Sequence, residues 1–171
     1  MTNTPAIAEV YLRPGDYHFG GPNTRIRTLL GSCVSLVLWH PKARLGGMCH
    51  FMLPTRGRPT AQLDGRYGDE AMRLLRAAAD SSGTCFSEYQ VRVFGGGNMF
   101  PTRLPGNRQH IGLQNIAMAR FLVAEQGLIC HGEHVGGIGH RNLIFDIWSG
   151  HLALKQSPPL SISGPSGVSS T

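Results

Sequence analysis

The chain has 171 residues and a formal net charge of +6; 41% of its residues are hydrophobic and 15% are charged. This length is typical of one domain with a complete core, and the 23 glycines favour strands and turns over a helical bundle. No apolar run is long enough to span a membrane, no secretory signal opens the chain, and the four cysteines form no Cys-x-x-Cys pair. We therefore expect a cytoplasmic protein with reduced thiols and no direct membrane insertion.

The first half of the chain predicts strands and one helix. Alternating apolar and polar residues predict a strand over 8–12, and a β-prone hairpin follows over about 33–53. The Gly-, Pro- and Arg-rich stretch 55–65 is predicted to be an exposed loop. Apolar residues at helical spacing predict a helix over 69–80, with Asp69 capping its N-terminus.

The second half adds strands and a second helix. A β-branched strand over 90–94 leads into three glycines at 95–97. These glycines lack the Lys-Ser/Thr of a phosphate loop, so we expect a close backbone approach there instead. The remaining predicted elements are a helix over 112–126 ended by Gly127, a strand over 128–135, and a hairpin of 142–148 with 152–155. Residues 1–156 then form a single domain, and the Ser- and Pro-rich residues 157–171 are expected to be a disordered tail.

The hairpin over 33–53 carries a thiol on one arm and an imidazole on the other. If residues 41–44 form a four-residue turn, Cys33 lies opposite Met52, and Ser35 lies opposite His50. These four side chains then share one face, with Cys33 and His50 as diagonal neighbours about 7–8 Å apart between backbones. Cys49 would point to the other face, and a slip of one residue would separate Cys33 from His50.

A thiol beside an imidazole has two interpretations. Free cysteine is often a small buried hydrophobe. Cys33, however, follows a Gly-Ser turn that leaves room for a substrate and for amides that hold an oxyanion. His50 could lower the thiol pKa by forming an ion pair, which would make Cys33 a nucleophile.

Six ordered sequence blocks resemble the CheD family of bacterial chemoreceptor glutamine deamidases. The resemblance covers about residues 25–155, in the order that the family has. The blocks are TLLGSCV (28–34), GGMCHFMLP (46–54), RYGDEAM (66–72), VFGGGNM (93–99), IGLQN (111–115) and VGG (135–137). The chain differs from the family pattern at His134, where aspartate is expected, and at His140, where glycine is expected.

The resemblance implies the catalytic residues Cys33, His50 and Thr28. The thiolate of Cys33 would attack a receptor glutamine, His50 would transfer protons, and Thr28 would orient His50. A cysteine thioester would form and be hydrolysed to glutamate, and the same chemistry would hydrolyse a glutamyl methyl ester. The implied fold is an α/β layered sandwich of mixed β-sheets with helices packed on the outside, as in bacterial toxins that deamidate glutamines of GTPases.

The same resemblance implies partners and leaves alternatives open. The substrates would be the cytoplasmic helices of methyl-accepting chemotaxis receptors, which are often acidic and would attract a basic protein. A CheC-type phosphatase is a further expected partner, so the chain could be a non-catalytic adaptor; a thiol peptidase would use the same Cys/His pair. The sequence lacks a basic stripe interleaved with aromatic residues, so nucleic-acid binding is not expected. Cys130, His131 and His134 lack zinc-ligand spacing, so no metal and no cofactor is expected.

Overall fold

The computed structural model of the chain describes residues 3–101 and 110–159. Within these ranges the backbone forms nine strands, two α-helices and one short 3-10 helix, Phe86–Glu88. The strands are β1 Ala8–Leu12, β2 Tyr17–Gly20, β3 Thr24–Leu30, β4 Val34–His40, β5 Leu45–Cys49, β6 Gln90–Gly95, β7 Cys130–Val135, β8 His140–Asp146 and β9 His151–Ser157. The helices are α1 Gly68–Ser81 and α2 Ile111–Glu125. Residues 160–171, most of the predicted tail, lie outside the described residues.

The strands form two mixed sheets. The four-stranded sheet has the order β1-β3-β8-β9, with β1 parallel to β3. The five-stranded sheet has the order β2-β5-β4-β6-β7, with β6 parallel to β7. All other neighbouring strands are antiparallel.

The two sheets and the helices form three layers because successive residues of β4 point to opposite sides. Val34, Leu36 and Leu38 pack with residues of α1 and α2 in one buried cluster. Val37 packs on the other side with residues of the four-stranded sheet, among them Phe145. The fold is therefore a layered α/β sandwich with the helices outside, as predicted.

The predicted register of the β4–β5 hairpin is confirmed. His40 pairs with Leu45, and a β-bridge joins Val34 to Phe51. Residues 41–44 form the turn, which is closed by the Arg44 N–H donating to the His40 carbonyl at 2.9 Å. Residues 33 and 52 therefore lie opposite each other, and Cys33 and His50 lie on the face that meets the four-stranded sheet.

The sequence prediction missed β2 and β3 and misplaced one helix cap. In β3, buried and less buried residues alternate, which is the ordinary signal of a half-buried strand. Asp69 does not cap α1, because the helix begins one residue earlier, where the Gly68 N–H donates to the Leu53 carbonyl at 2.9 Å. From within the first turn, the Asp69 carboxylate accepts hydrogen bonds from the Glu70 N–H at 2.9 Å and from the hydroxyl of Thr55 at 2.7 Å.

Candidate active site

Cys33 lies at the start of β4, directly after the Gly31-Ser32 turn. Its side chain is half-buried and packs against the apolar cluster between the two sheets. This burial raises the pKa of the Cys33 thiol above its ordinary value. The resting side chain is therefore a protonated thiol at neutral pH.

The three glycines at 95–97 hold the backbone around Cys33. The Gly96 N–H donates to the Cys33 carbonyl at 2.9 Å, and the Gly97 N–H donates to the Gly31 carbonyl at 2.9 Å. Gly95 has a positive φ of 110°, and a Cβ atom there would overlap the Cys33 carbonyl oxygen. The close backbone approach predicted for these glycines is thus confirmed.

His50 follows the last residue of β5, and its backbone forms hydrogen bonds with residues 15 and 16 rather than with β4. Its N–H donates to the Asp16 carbonyl at 3.0 Å, and its carbonyl accepts the Gly15 N–H at 2.8 Å. The residue is 2% exposed. Burial lowers the pKa of His50 to about 4, although the charge of Asp16 and a hydrogen bond to the Leu12 backbone act in the opposite direction. His50 is therefore a neutral imidazole at neutral pH.

Thr28 fixes which nitrogen of His50 carries the proton. The Thr28 hydroxyl donates to the Leu12 carbonyl at 2.9 Å and lies 2.7 Å from Nδ1 of His50. Since a carbonyl oxygen can only accept, the single hydroxyl proton is used there, and Thr28 Oγ1 must accept the proton of Nδ1. Nε2 of His50 is consequently unprotonated and able to act as a base.

The structure brings Cys33, His50 and Thr28 to one end of the space between the two sheets. Within the part of the chain that the structure describes, no hydrogen bond joins the Cys33 thiol to His50. The expectation that His50 lowers the thiol pKa through an ion pair is wrong, because burial keeps the thiol protonated and the imidazole neutral. The hairpin register thus places a protonated thiol diagonally opposite a neutral imidazole.

Cys49 has the opposite environment. It is completely buried on the helix side of the sheet, and burial raises the pKa of its thiol to about 12. Its sulfur accepts a hydrogen bond from the Leu36 N–H at 3.4 Å. This thiol is structural, as its predicted orientation away from His50 indicated.

Sequence reasoning did not single out Asn115 or Ser35 as site residues. Both side chains are completely buried, and each has a polar atom without a hydrogen-bond partner among the described residues. Ser35 is the residue opposite His50 in the hairpin register. Asn115 closes the IGLQN block, so the block was visible in the sequence, but nothing in one sequence indicates what its amide contacts.

The two departures from the family pattern lie beside a buried arginine. Arg141 is 1% exposed; its Nε–H donates to Nδ1 of His134 at 2.9 Å, and its Nη1–H donates to the Gly95 carbonyl at 3.3 Å. Burial lowers the pKa of Arg141. His134 therefore supplies an acceptor to the guanidinium, and His140 pairs with Ser157 between β8 and β9.

Among residues 3–101 and 110–159, no group of three or more His, Cys, Asp or Glu side chains is placed to hold a metal ion. Neither described helix is long and apolar enough to cross a membrane.

The chain matches a family model over residues 52–156 and is similar in sequence to curated proteins over nearly its full length. A sequence model described as CheD chemotactic sensory transduction matches residues 52–156. The chain is 50% identical over 171 residues to the probable chemoreceptor glutamine deamidase CheD 3 of Dechloromonas aromatica, covering 98% of this chain and 100% of that protein. It is 48% identical over 158 residues to the probable chemoreceptor glutamine deamidase CheD of Pseudomonas savastanoi, covering 91% of this chain and 89% of that protein. Among solved structures, the hypothetical protein YfiH of Bacillus licheniformis is similar with a TM-score of 0.44 and 12% identity, over 69% of this chain and 49% of that one.

Proposed function

Because the chain belongs to the CheD family, we propose that it is a protein-glutamine glutaminase that converts chemoreceptor glutamines to glutamates. The relatives that match nearly the full length of this chain are named as chemoreceptor glutamine deamidases. The observation that carries the mechanism is the pair of hydrogen bonds at Thr28, which leaves Nε2 of His50 free to accept a proton. We assign Cys33 as the nucleophile, His50 as the general base and acid, and Thr28 as the residue that orients His50.

The reaction begins with a neutral thiol and a neutral imidazole. The sulfur of Cys33 attacks the carboxamide carbon while Nε2 of His50 takes the thiol proton. His50 then donates this proton to the leaving nitrogen, the C–N bond breaks, and ammonia departs from a thioester. Water attacks the thioester with His50 again as base, which releases the glutamate side chain and returns the proton to the Cys33 sulfur.

The negative oxygen of the tetrahedral intermediate requires a donor near Cys33. The Cys33 N–H donates no hydrogen bond within the described ranges, whereas the next amide, that of Val34, donates to the Phe51 carbonyl at 3.1 Å. The Cys33 N–H is therefore available to the oxyanion at the point where the sulfur attacks. The space beside Gly31 is filled by Met99, whose sulfur would lie 3.2 Å from a Cβ atom at position 31.

The substrate is a side chain on a receptor helix, so the site must be reached from the protein surface. Cys33 is only half-buried, and the nearby Met52 and Leu53 are exposed at 36% and 43%. These apolar side chains are suited to contact a helix next to the modified glutamine. The net charge of +6 would favour an acidic receptor surface in the cytoplasm.

A second reaction and a second partner belong to the same proposal. The same thiol and base would hydrolyse a glutamyl methyl ester, because the leaving methanol takes the proton that ammonia takes in deamidation. A CheC-type phosphatase is a further proposed partner. The fixed tautomer of His50 favours an enzyme over a purely non-catalytic adaptor, since an adaptor has no need of an oriented base.

Purified receptor cytoplasmic domain provides the test. We expect ammonia release, glutamine-to-glutamate mass changes in receptor peptides and an uncut receptor chain, which would also exclude a thiol peptidase. Cys33→Ala should abolish all conversion, while Cys85→Ala and Cys130→Ala, at exposed positions, should retain it. Full conversion by Cys33→Ala would remove Cys33 as the nucleophile, and receptor cleavage would replace deamidation with proteolysis.

A further inference from the structure

The side chain of Asn115 connects the two backbone segments that carry Cys33 and His50. Asn115 lies in α2 and is completely buried. Its Nδ2 donates to the Ser32 carbonyl at 3.0 Å and to the Met52 carbonyl at 2.9 Å. Ser32 directly precedes Cys33, and the hairpin register places Met52 opposite Cys33.

This connection lies where regular strand pairing is weakest. β5 ends at Cys49, and beyond it a single isolated bridge, Val34 to Phe51, pairs the two arms. The backbone of His50 bonds to residues 15 and 16 rather than to β4. The distance between the Cys33 and His50 segments therefore depends on this bridge and on the Asn115 amide.

The Asn115 amide is completely buried among the described residues. Its Nδ2 uses both N–H groups on backbone carbonyls of two different segments. One side chain that binds two carbonyls in this way restricts how far the segments can move apart. The role that the contacts indicate is to hold the Ser32 and Met52 carbonyls at a fixed separation.

We propose that Asn115 is a positioning residue that sets the Cys33 sulfur relative to Nε2 of His50. The inference rests on the proposed function of those two residues. Without the two hydrogen bonds, the Cys33 and His50 segments can shift apart, and a misplacement of about 1 Å costs on the order of 100-fold in rate. Because Asn115 is buried and cannot reach a docked receptor, the loss should fall on kcat and leave KM unchanged.

Two substitutions at Asn115 and one control elsewhere in α2 test this role. Asn115→Leu keeps a similar volume and removes both donors together with the unpaired Oδ1. Asn115→Asp keeps the shape, but a carboxyl offers at most one O–H donor, so it cannot bind both carbonyls as the amide does. Leu122→Ala is the control, because Leu122 is buried in the same helix and its truncation lowers stability without touching Ser32 or Met52.

Receptor deamidation is measured at a temperature at which circular dichroism shows Leu122→Ala to be folded. We expect both Asn115 variants to lower kcat by about 10- to 100-fold with KM within about twofold, and Leu122→Ala to keep both constants. Wild-type kcat in Asn115→Leu, or a change in KM alone, would overturn the proposal. Unfolding of both Asn115 variants where Leu122→Ala is folded would also overturn it, because the amide would then be a requirement of the fold.

A second readout separates this inference from the proposed function. If the wild-type chain releases no ammonia from receptor, the proposed function fails, whatever Asn115 does. The rate at which iodoacetamide alkylates Cys33 at about pH 9 then reports the ionisation and accessibility of the thiol, both of which depend on where the sulfur lies. Asn115→Leu should change that rate at least about threefold and Leu122→Ala should not; equal rates in all three proteins would refute the positioning role.

Discussion

The hydroxyl of Thr28, on the four-stranded sheet, lies 2.7 Å from Nδ1 of His50, which follows a strand of the five-stranded sheet. The hydrogen bond therefore crosses from one layer of the sandwich to the other. It is enclosed, because Thr28 and His50 are 0% and 2% exposed. The orientation of the candidate base thus depends on how the two sheets pack, and not on the β4–β5 hairpin alone.

Replacing Thr28 should impair catalysis more than it alters the fold. Thr28→Val keeps the shape but removes the hydroxyl that binds Nδ1 of His50 and the Leu12 carbonyl, and losing such buried hydrogen bonds costs about 1–3 kcal/mol. We expect kcat for receptor deamidation to fall about tenfold or more, because either tautomer of His50 becomes accessible. Thr28→Ser, which retains the hydroxyl, is the control, and equal kcat in the two variants would show that the hydroxyl does not orient His50.

The pH dependence of kcat/KM should show an unusually acidic lower limit. His50 must be neutral to accept the thiol proton, and burial lowers its pKa from 6.5 to about 4. We therefore expect deamidation of a receptor peptide to persist at pH values where an ordinary histidine is mostly protonated. Rates are compared over the range in which circular dichroism shows a folded chain, and a half-maximal rate near pH 6.5 would contradict a buried neutral base.

Stability should also depend on the protonation of His50. Its folded pKa lies below the unfolded value, so the unfolded chain binds the extra proton as the pH falls. The free energy of unfolding is therefore highest above pH 6.5, where His50 is neutral in both states. It falls progressively towards pH 4, by on the order of 3 kcal/mol for a pKa shift from 6.5 to about 4. Urea unfolding of the wild-type chain and of His50→Gln across this range measures it. If both proteins lose the same stability on acidification, His50 is not the group responsible.

Replacing Gly95 by alanine should do more damage than replacing Gly127, another glycine with positive φ. Gly95 and Gly127 both have positive φ, but a Cβ at Gly95 would overlap the Cys33 carbonyl, whereas nothing lies within 4 Å of a Cβ at Gly127. Each alanine carries the backbone strain of the left-handed region, about 1–2 kcal/mol. Gly95→Ala should additionally displace Cys33 and lower kcat, while Gly127→Ala should lose stability only. Thermal unfolding measures the loss of stability in the two variants, and receptor deamidation measures their kcat. Similar kcat values would show that Cys33 tolerates the displacement.

The hairpin could be predicted from local patterns, whereas the layered sandwich was expected from the family resemblance. Cys33 and His50 were correctly placed on one face because the numbering of a four-residue turn determines every pair in the hairpin, and successive side chains of a strand point to opposite faces of the sheet. Thr28 was assigned only through family resemblance, since β3 itself was missed and its partner Leu12 is 16 residues away in the sequence. The direction of the Cys33 pKa shift was wrong because burial depends on the second sheet, which pattern analysis of the hairpin does not include.

The protonated state of the resting Cys33 thiol has a consequence for survival in an oxidising cell. Peroxide and related oxidants react with thiolates, and a sulfur that becomes nucleophilic only while His50 takes its proton offers them little thiolate. A thiol that rests protonated in this way should therefore be oxidised more slowly than a permanently ionised cysteine.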